Sequence, residues 1–481
     1  MAIDRIWRTL STSLGILGSL TACTIGPDYH QVEPQVPRQW QAEHLSEAST
    51  KFISPAQLQT WWKQFGDATL DALITRALTE NRDANIALAR IEAARAERHG
   101  IRAGLFPAVN VSAGAQRQVN PLPGLVPGIR YNLFDTGFDA GWELDLFGRQ
   151  RRRLEAANAG LEAAGEQYAE TLVTLCAELA RGYIEYRNLQ DLLRITRSNL
   201  DTMRATLDLT GKRYREGIGT RHDVVRARAQ TELTEAQIPA LEANKIAALR
   251  QLEMLIGQTP GALANTLREP TPIPLAAGRA LLASPADTLR HRPDVRAAER
   301  QLAAATAMQG AAIAELYPKI ALSGFLGLRS ADVDTLFTSA AFAYGPTLTI
   351  VQPLLNFGRI RAGIDLAKAR QREAYLTYEK RVLDALRETE TALTRYLMEA
   401  HRQQMLTRSA ADQQDAVRLS RLRYREGVSS LLDVLDAQRA LYAVESELSK
   451  AQAATAIHLV ALYKSLGGGT MPIRPEAGTP P

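Results

Sequence analysis

The sequence predicts a mainly α-helical protein with a β-barrel part, built as two structural repeats. Three observations predict it. Motifs recur at a fixed offset of 210 residues, two proline-free stretches carry coiled-coil spacing, and four segments alternate apolar with polar residues. Arg213-Tyr214-Arg215-Glu216-Gly217 recurs as Arg423-Tyr424-Arg425-Glu426-Gly427. At the same offset Asp223 maps to Asp433, Phe147-Gly148-Arg149 to Phe357-Gly358-Arg359, and Gly257 to Gly467. Leu105-Phe106-Pro107 maps to Leu316-Tyr317-Pro318 at an offset of 211. Ordered matches at one offset mark a duplicated supersecondary unit.

Taken in order, residues 1–22 read as a lipoprotein signal peptide. Arg5 and Arg8 form a basic start, Leu10 to Leu20 an apolar run, and Leu20-Thr21-Ala22-Cys23 places small residues before a cysteine. The run is too short to span a bilayer. Its end resembles the lipobox of bacterial lipoproteins, which implies cleavage before Cys23 and a diacylglycerol and N-acyl chain on that residue. Each buried CH₂ contributes roughly 0.8 kcal/mol, so two or three such chains anchor stably. In such lipoproteins an Asp after the cysteine favours inner-membrane retention; Thr24 stands there and permits outer-membrane sorting. A proline-punctuated, lipidated arm follows over 23–60.

The net charge of +5 is spread along the chain without a basic block, so no nucleic-acid footprint is visible. With Cys23 acylated, Cys176 has no partner for an internal disulfide and reads as a small buried hydrophobe. No nucleophile elbow, phosphate loop or dinucleotide fingerprint occurs, and none of the 7 histidines has metal-ligand spacing. His222 beside Asp223 is isolated on a turn. The reading is therefore not an enzyme, with no catalytic residue, metal or further cofactor expected.

The first repeat is expected over 61–257 and the second over 294–469. Each opens with a helix (near 81–104 and 294–315), then a Leu-aromatic-Pro stop, then a Gly- and aromatic-rich hairpin (about 108–147 and 319–355). A very long helix follows. Leu154, Leu161, Tyr168, Leu172, Leu175, Leu179 and Tyr183 keep coiled-coil steps, as do Leu376, Leu383, Leu386, Leu393 and Leu397. About 65 residues at 1.5 Å rise make roughly 100 Å. Gly217 and Gly427 supply the left-handed caps at the tip turns, and a return helix of about 38 residues comes after each. Its length plus that of an entry helix of about 25 matches the long helix, so an antiparallel wall follows. Residues 258–293 form a proline-rich connector, and 470–481 read as a flexible tail.

The hairpins carry the functional signal. Phe134, Phe138, Ala140, Trp142, Leu144 and Leu146 alternate with Asp135, Gly137, Asp139, Gly141, Glu143 and Asp145. Successive strand residues face opposite sides, so one face is apolar and the other acidic. Val109 to Val119, Ile320 to Arg329 and Phe342 to Ile350 supply the other strands. Such strands match transmembrane barrels, but four cannot close one and an open edge in lipid is too costly. Copies of the chain are required; three give twelve strands and an α-barrel tunnel.

From Trp61 to Gly469 the chain resembles the TolC-like outer-membrane efflux channels, in their lipidated branch paired with resistance-nodulation-division pumps. The carrying residues are Trp61-Trp62, Phe65-Gly66-Asp67, both Leu-aromatic-Pro stops, His291-Arg292-Pro293-Asp294-Val295, both Tyr-x-x-Gly turns, Leu432-Asp433-Val434-Leu435-Asp436-Ala437 and Leu462-Tyr463-Lys464-Ser465-Leu466-Gly467-Gly468. The resemblance implies a homotrimer in outer-membrane lipid, extending into the periplasm, with a periplasmic adaptor (membrane fusion protein) and an inner-membrane resistance-nodulation-division transporter as partners. It further implies an aperture ring at Asp433 and Asp436 with Leu432 as its apolar constriction, and a tip latch at Tyr424 and Asp223. The family's latch arginine is replaced by Ser429; Arg221 and Arg423 are candidates to substitute. Two alternatives stay open: a TolC-like exit channel for type I protein secretion, and a lipid-anchored periplasmic coiled-coil adaptor. The second has no use for four lipid-facing strands.

Overall fold

The structure, a computed structural model, describes residues 24–42, 51–122, 126–276 and 281–469. The expected signal peptide, Cys23 and the 470–481 tail lie outside the described residues.

The duplication is carried into the elements. The two long helices, α4 (Arg149–Arg215) and α9 (Arg359–Arg425), have 67 residues each and start and stop 210 positions apart. Both end on a Schellman cap. Gly217 and Gly427 take φ of 78° and 74°, conformations with a steric cost for any residue bearing a Cβ. Ile218 N–H then reaches Arg213 O at 3.0 Å, and Val428 N–H reaches Arg423 O at 2.9 Å. The entry helices are α3 (Arg82–Ala103), preceded by α1 (Pro55–Gln59) and α2 (Ala68–Glu80), and α8 (Pro293–Ala314), preceded by α7 (Pro285–His291). The return helices differ. In the second repeat α10 (Leu431–Ser465) is unbroken, whereas the first is split into α5 (Arg221–Glu235) and α6 (Gln237–Leu255) at Ala236. Pro239 explains the break: it lacks the N–H and its ring clashes with the carbonyl four residues back.

Two compact units are present. The first comprises the chain up to Glu33, Arg90–Ala164 and Ala297–Glu379. It holds an antiparallel sheet of β2 (Ala108–Leu122), β3 (Val126–Leu144), β5 (Lys319–Ser330) and β6 (Phe342–Val351), in that order. The register sets apolar residues in rows across it. Val111 faces Phe138, Phe138 faces Leu326 and Leu326 faces Tyr344; Trp142 faces Leu322, which faces Leu348. These rows are exposed, from 36% at Trp142 to 75% at Tyr344. A sheet that presents Val, Phe, Trp and Leu outward and holds Asp135 opposite Arg329 on its other face is inverted relative to water. Its edges, β2 and β6, have no strand partner among the described residues.

The second unit comprises Pro34–Ala89, Gly165–Arg296 and the chain from Lys380. Its core gathers the motif residues. Trp61, fully buried, stacks on Tyr463 at 5.7 Å and meets Trp62 edge-on at 5.9 Å. Asp67 caps α2 by accepting from Thr69 N–H at 2.8 Å, and also accepts from Tyr183 Oη at 2.8 Å. A short parallel pairing of β1 (Lys51–Phe52) with β4 (Leu281–Leu282) ties the arm to the connector. The repeat extends to side chains: Asn81 Nδ2 donates to Leu255 O at 2.8 Å, and Arg292 Nη1, at the equivalent place, donates to Ser465 O at 3.0 Å.

Candidate functional site

The tip of the second repeat begins where α9 ends. Tyr424 is buried in a small cluster with Met203, Ala227, Leu431, Val434 and Leu435, a satellite of the main core. The Arg213 guanidinium lies 4.7 Å above the Tyr424 ring, and its Nη1 donates to Tyr424 O at 3.1 Å. A cation over an aromatic face contributes about 0.5–2 kcal/mol. Arg213 is thus the guanidinium that meets the expected latch tyrosine. Neither Arg221 nor Arg423 closes an ion pair among the described residues, and the Ser429 hydroxyl is buried there without a hydrogen-bond partner.

Asp223 and Asp433 occupy equivalent places, three residues after an N-cap. Thr220 Oγ1 donates to Asp223 Oδ2 at 2.7 Å, and Asp223 N–H returns to Thr220 Oγ1 at 3.2 Å. Asp433 completes a capping box: Ser430 N–H donates to Asp433 Oδ2 at 3.0 Å, and Asp433 N–H to Ser430 Oγ at 3.4 Å. Such boxes satisfy helix N–H groups that have no intrahelical partner. Leu432, Asp433 and Asp436 are exposed together while Leu431, Val434 and Leu435 point into the cluster. Within one chain Asp436 pairs with Arg439 on the next turn. The spacing puts two carboxylates and one leucine on a single open face of the tip.

In the first unit the N-terminal arm is clamped to the foot of β3. Ile25 N–H donates to Phe147 O at 3.3 Å. Arg152, only 3% exposed at its side chain, reaches Asp28 at 2.7 Å, Gly26 O at 3.2 Å and Ile25 O at 3.3 Å. Gly26 runs so close to Gly310 that a Cβ would fall 2.5 Å from its Cα. Thr24 packs against Gly148 in the same manner, at the strand-to-helix turn. No sequence motif marks this clamp, because Arg152 and the arm residues it holds are more than a hundred positions apart.

An outward-apolar sheet with open edges, two duplicated 67-residue helices and an arm fixed at the foot of the strands define a membrane-inserted channel subunit. The chain belongs to the outer membrane efflux protein family, whose profile matches residues 73–258 and 285–468. It is an outer-membrane efflux channel, not an enzyme. It is 32% identical over 466 residues to outer membrane protein OprJ of Pseudomonas aeruginosa, covering 95% of each chain. It is 33% identical over 451 residues to the pyoverdine export outer membrane protein OpmQ of the same species, covering 90% of this chain and 91% of that one. Among solved structures, the outer-membrane channel OprN superposes with a TM-score of 0.87 at 36% identity, covering 93% of this chain and 99% of that one. The open-state MtrE channel of Neisseria gonorrhoeae superposes at 0.81 with 29% identity, covering 93% and 98%.

Proposed function

We propose that the chain works as a homotrimer whose twelve strands close one outer-membrane barrel and whose helices form a periplasmic duct. It passively conducts drugs and other small toxic compounds delivered by an inner-membrane resistance-nodulation-division transporter through a periplasmic adaptor. Cys23 carries the lipid anchor, which fits an arm whose Thr24 packs against Gly148 near the foot of β3. The tips hold the aperture, with Leu432, Asp433 and Asp436 at the narrowest ring and the Tyr424 and Asp223 turns holding the helices in place.

The observation that carries the reading is the pair of open edges on an apolar-faced sheet. Unpaired backbone groups in lipid cost several kcal/mol each, so β6 must find a β2. The repeat predicts the register. Phe138 pairs with Leu326 and Ala140 with Gly324 inside the chain. Moving β3 forward by 210 and β5 back by 211 sets Leu348 opposite Ala115 of the partner subunit, and Ile350 opposite Ala113 of the partner subunit. Outward residues then meet outward residues, as closure requires. The same operation carries the stack of Phe147 on Tyr317, at 4.9 Å, to Phe357 on the partner subunit's Phe106. Both are left open in the single chain, at 101% and 60% exposure. Phe357 is also the one non-glycine residue with positive φ among the described residues, at 50°. Backbone strain of that kind persists where surrounding structure holds it.

Sedimentation of the purified protein in detergent tests the reading: a trimer is expected, and a stable, folded, membrane-inserted monomer overturns it.

A further inference from the structure

A cavity of about 460 Å³ lies within the second unit, among α4, the start of α8, α9 and α10. Its charges are unbalanced. Arg292, Arg381, Arg387, Arg395 and Lys464 line it, against Glu170, Asp294 and Glu388. Arg292 is 7% exposed and already holds two of those carboxylates, Asp294 at 2.7 Å and Glu388 at 2.9 Å. Burial, then the nearby Asp294, pushes the third carboxyl, Glu170, upward, while Arg381, Arg292 and Lys464 oppose that shift. Arg387 shares Asp384 and Glu388 at 3.4 and 3.8 Å, and Lys464 reaches out to Glu178 at 3.9 Å. Arg381 and Arg395 close no ion pair or hydrogen bond among the described residues. Burial, the largest influence on His458, pushes that imidazole down, so it adds no permanent charge and retains one N–H to donate.

The repeat supplies an internal control. At the equivalent positions of the first half stand Asn81 for Arg292, Thr171 for Arg381, Ala177 for Arg387, Glu185 for Arg395 and Met254 for Lys464. No cation of the set has a cationic counterpart. The structural duty of Arg292, donating to the end of the return helix, is met by neutral Asn81 in the first half. The fold therefore does not demand this concentration of positive charge, and its presence in one half points to a ligand.

We propose that the cavity is an anion site for a small polyvalent oxyanion, with Arg381 and Arg395 as its binding guanidinium groups above the fixed floor of Arg292. Guanidinium forks match phosphate and carboxylate oxygens bidentately, and the volume lies in the range of small-molecule pockets. The anion joins α9 to Arg292, the residue just before α8.

Isothermal titration of the full-length protein in detergent, with inorganic pyrophosphate and separately with citrate at low salt, tests this. One anion per chain is expected. Arg381→Gln with Arg395→Gln weakens binding at least tenfold. Arg90→Gln with Arg102→Gln, which removes equal charge from exposed positions on α3, changes it less than twofold. Binding of pyrophosphate alone assigns a phosphate class, binding of citrate alone a carboxylate class, and either supports the site. No saturable binding of either up to millimolar concentration overturns it, as does an equal loss in the two double variants.

Discussion

Phe357→Ala removes an aromatic side chain that touches almost nothing in its own chain, so its effect isolates the contact between subunits. Covering a fully open Phe contributes about 1.5–3 kcal/mol, and a stacked aromatic pair adds about 0.5–1.5 kcal/mol. The loss per interface is therefore roughly 2–4.5 kcal/mol, repeated at three interfaces. Ala at this position keeps the strained positive φ of 50°, so strain cancels in the comparison. The assay is the temperature at which half of the trimers dissociate on electrophoresis after graded heating in detergent. A fall of several degrees or outright loss of trimers is expected from Phe357→Ala, and a similar change from Phe106→Ala. The double variant should fall short of their sum, because both break one stack. Phe147→Ala, which breaks the equivalent stack inside the chain, serves as comparison. Trimers of undiminished heat resistance in Phe357→Ala, or strictly additive single effects, would refute the symmetry argument.

Four other outcomes are expected. Cys23→Ser abolishes labelling by a palmitate analogue, whereas acyl chains on the mature variant would exclude the lipobox reading. Asp433→Asn with Asp436→Asn lowers cation preference and block by multivalent cations in planar bilayers, while keeping an oxygen acceptor for the Ser430 N–H; Arg226→Ala, at the first-half place equivalent to Asp436, matters less. Arg213→Gln deprives Tyr424 of its cation and loosens the tip, read as higher single-channel conductance with unchanged trimer content. Cys176 resists maleimide in the folded protein at pH 8 and reacts after denaturation, because burial pushes its thiol up to about 12.

Much of the architecture was legible because it is written twice. The long helices, their glycine caps and the alternating strands are local patterns, and the offset multiplies each signal. What escaped depends on distant partners or on competing local chemistry. Pro239 splits a return helix that apolar spacing alone would carry through. The strands β2 and β3 run to 15 and 19 residues, beyond the alternation read over Val109–Val119 and from Phe134, because the ladder continues into the proline-bearing segment between them. The ladder does register Pro121, shifting between Asn120 and Leu122 where an N–H is missing. The family resemblance implies an aperture role for Asp433; its capping partner Ser430 was visible three residues earlier, and the structure places that carboxylate in a capping box. Arg213 over Tyr424 joins residues 211 apart, and no spacing rule reaches that far. The same is true of the clamp of Arg152 on the arm.

In the proposed trimer β6 closes on β2 of another copy in one register. Leu348→Cys combined with Ala115→Cys places two thiols opposite each other across that seam. Mild oxidation should give covalent dimers and trimers that survive boiling and revert on reduction, while Leu348→Cys with Arg117→Cys or Ala113→Cys crosslinks several-fold less. Equal crosslinking in all three pairs, or none in the first, would contradict the account.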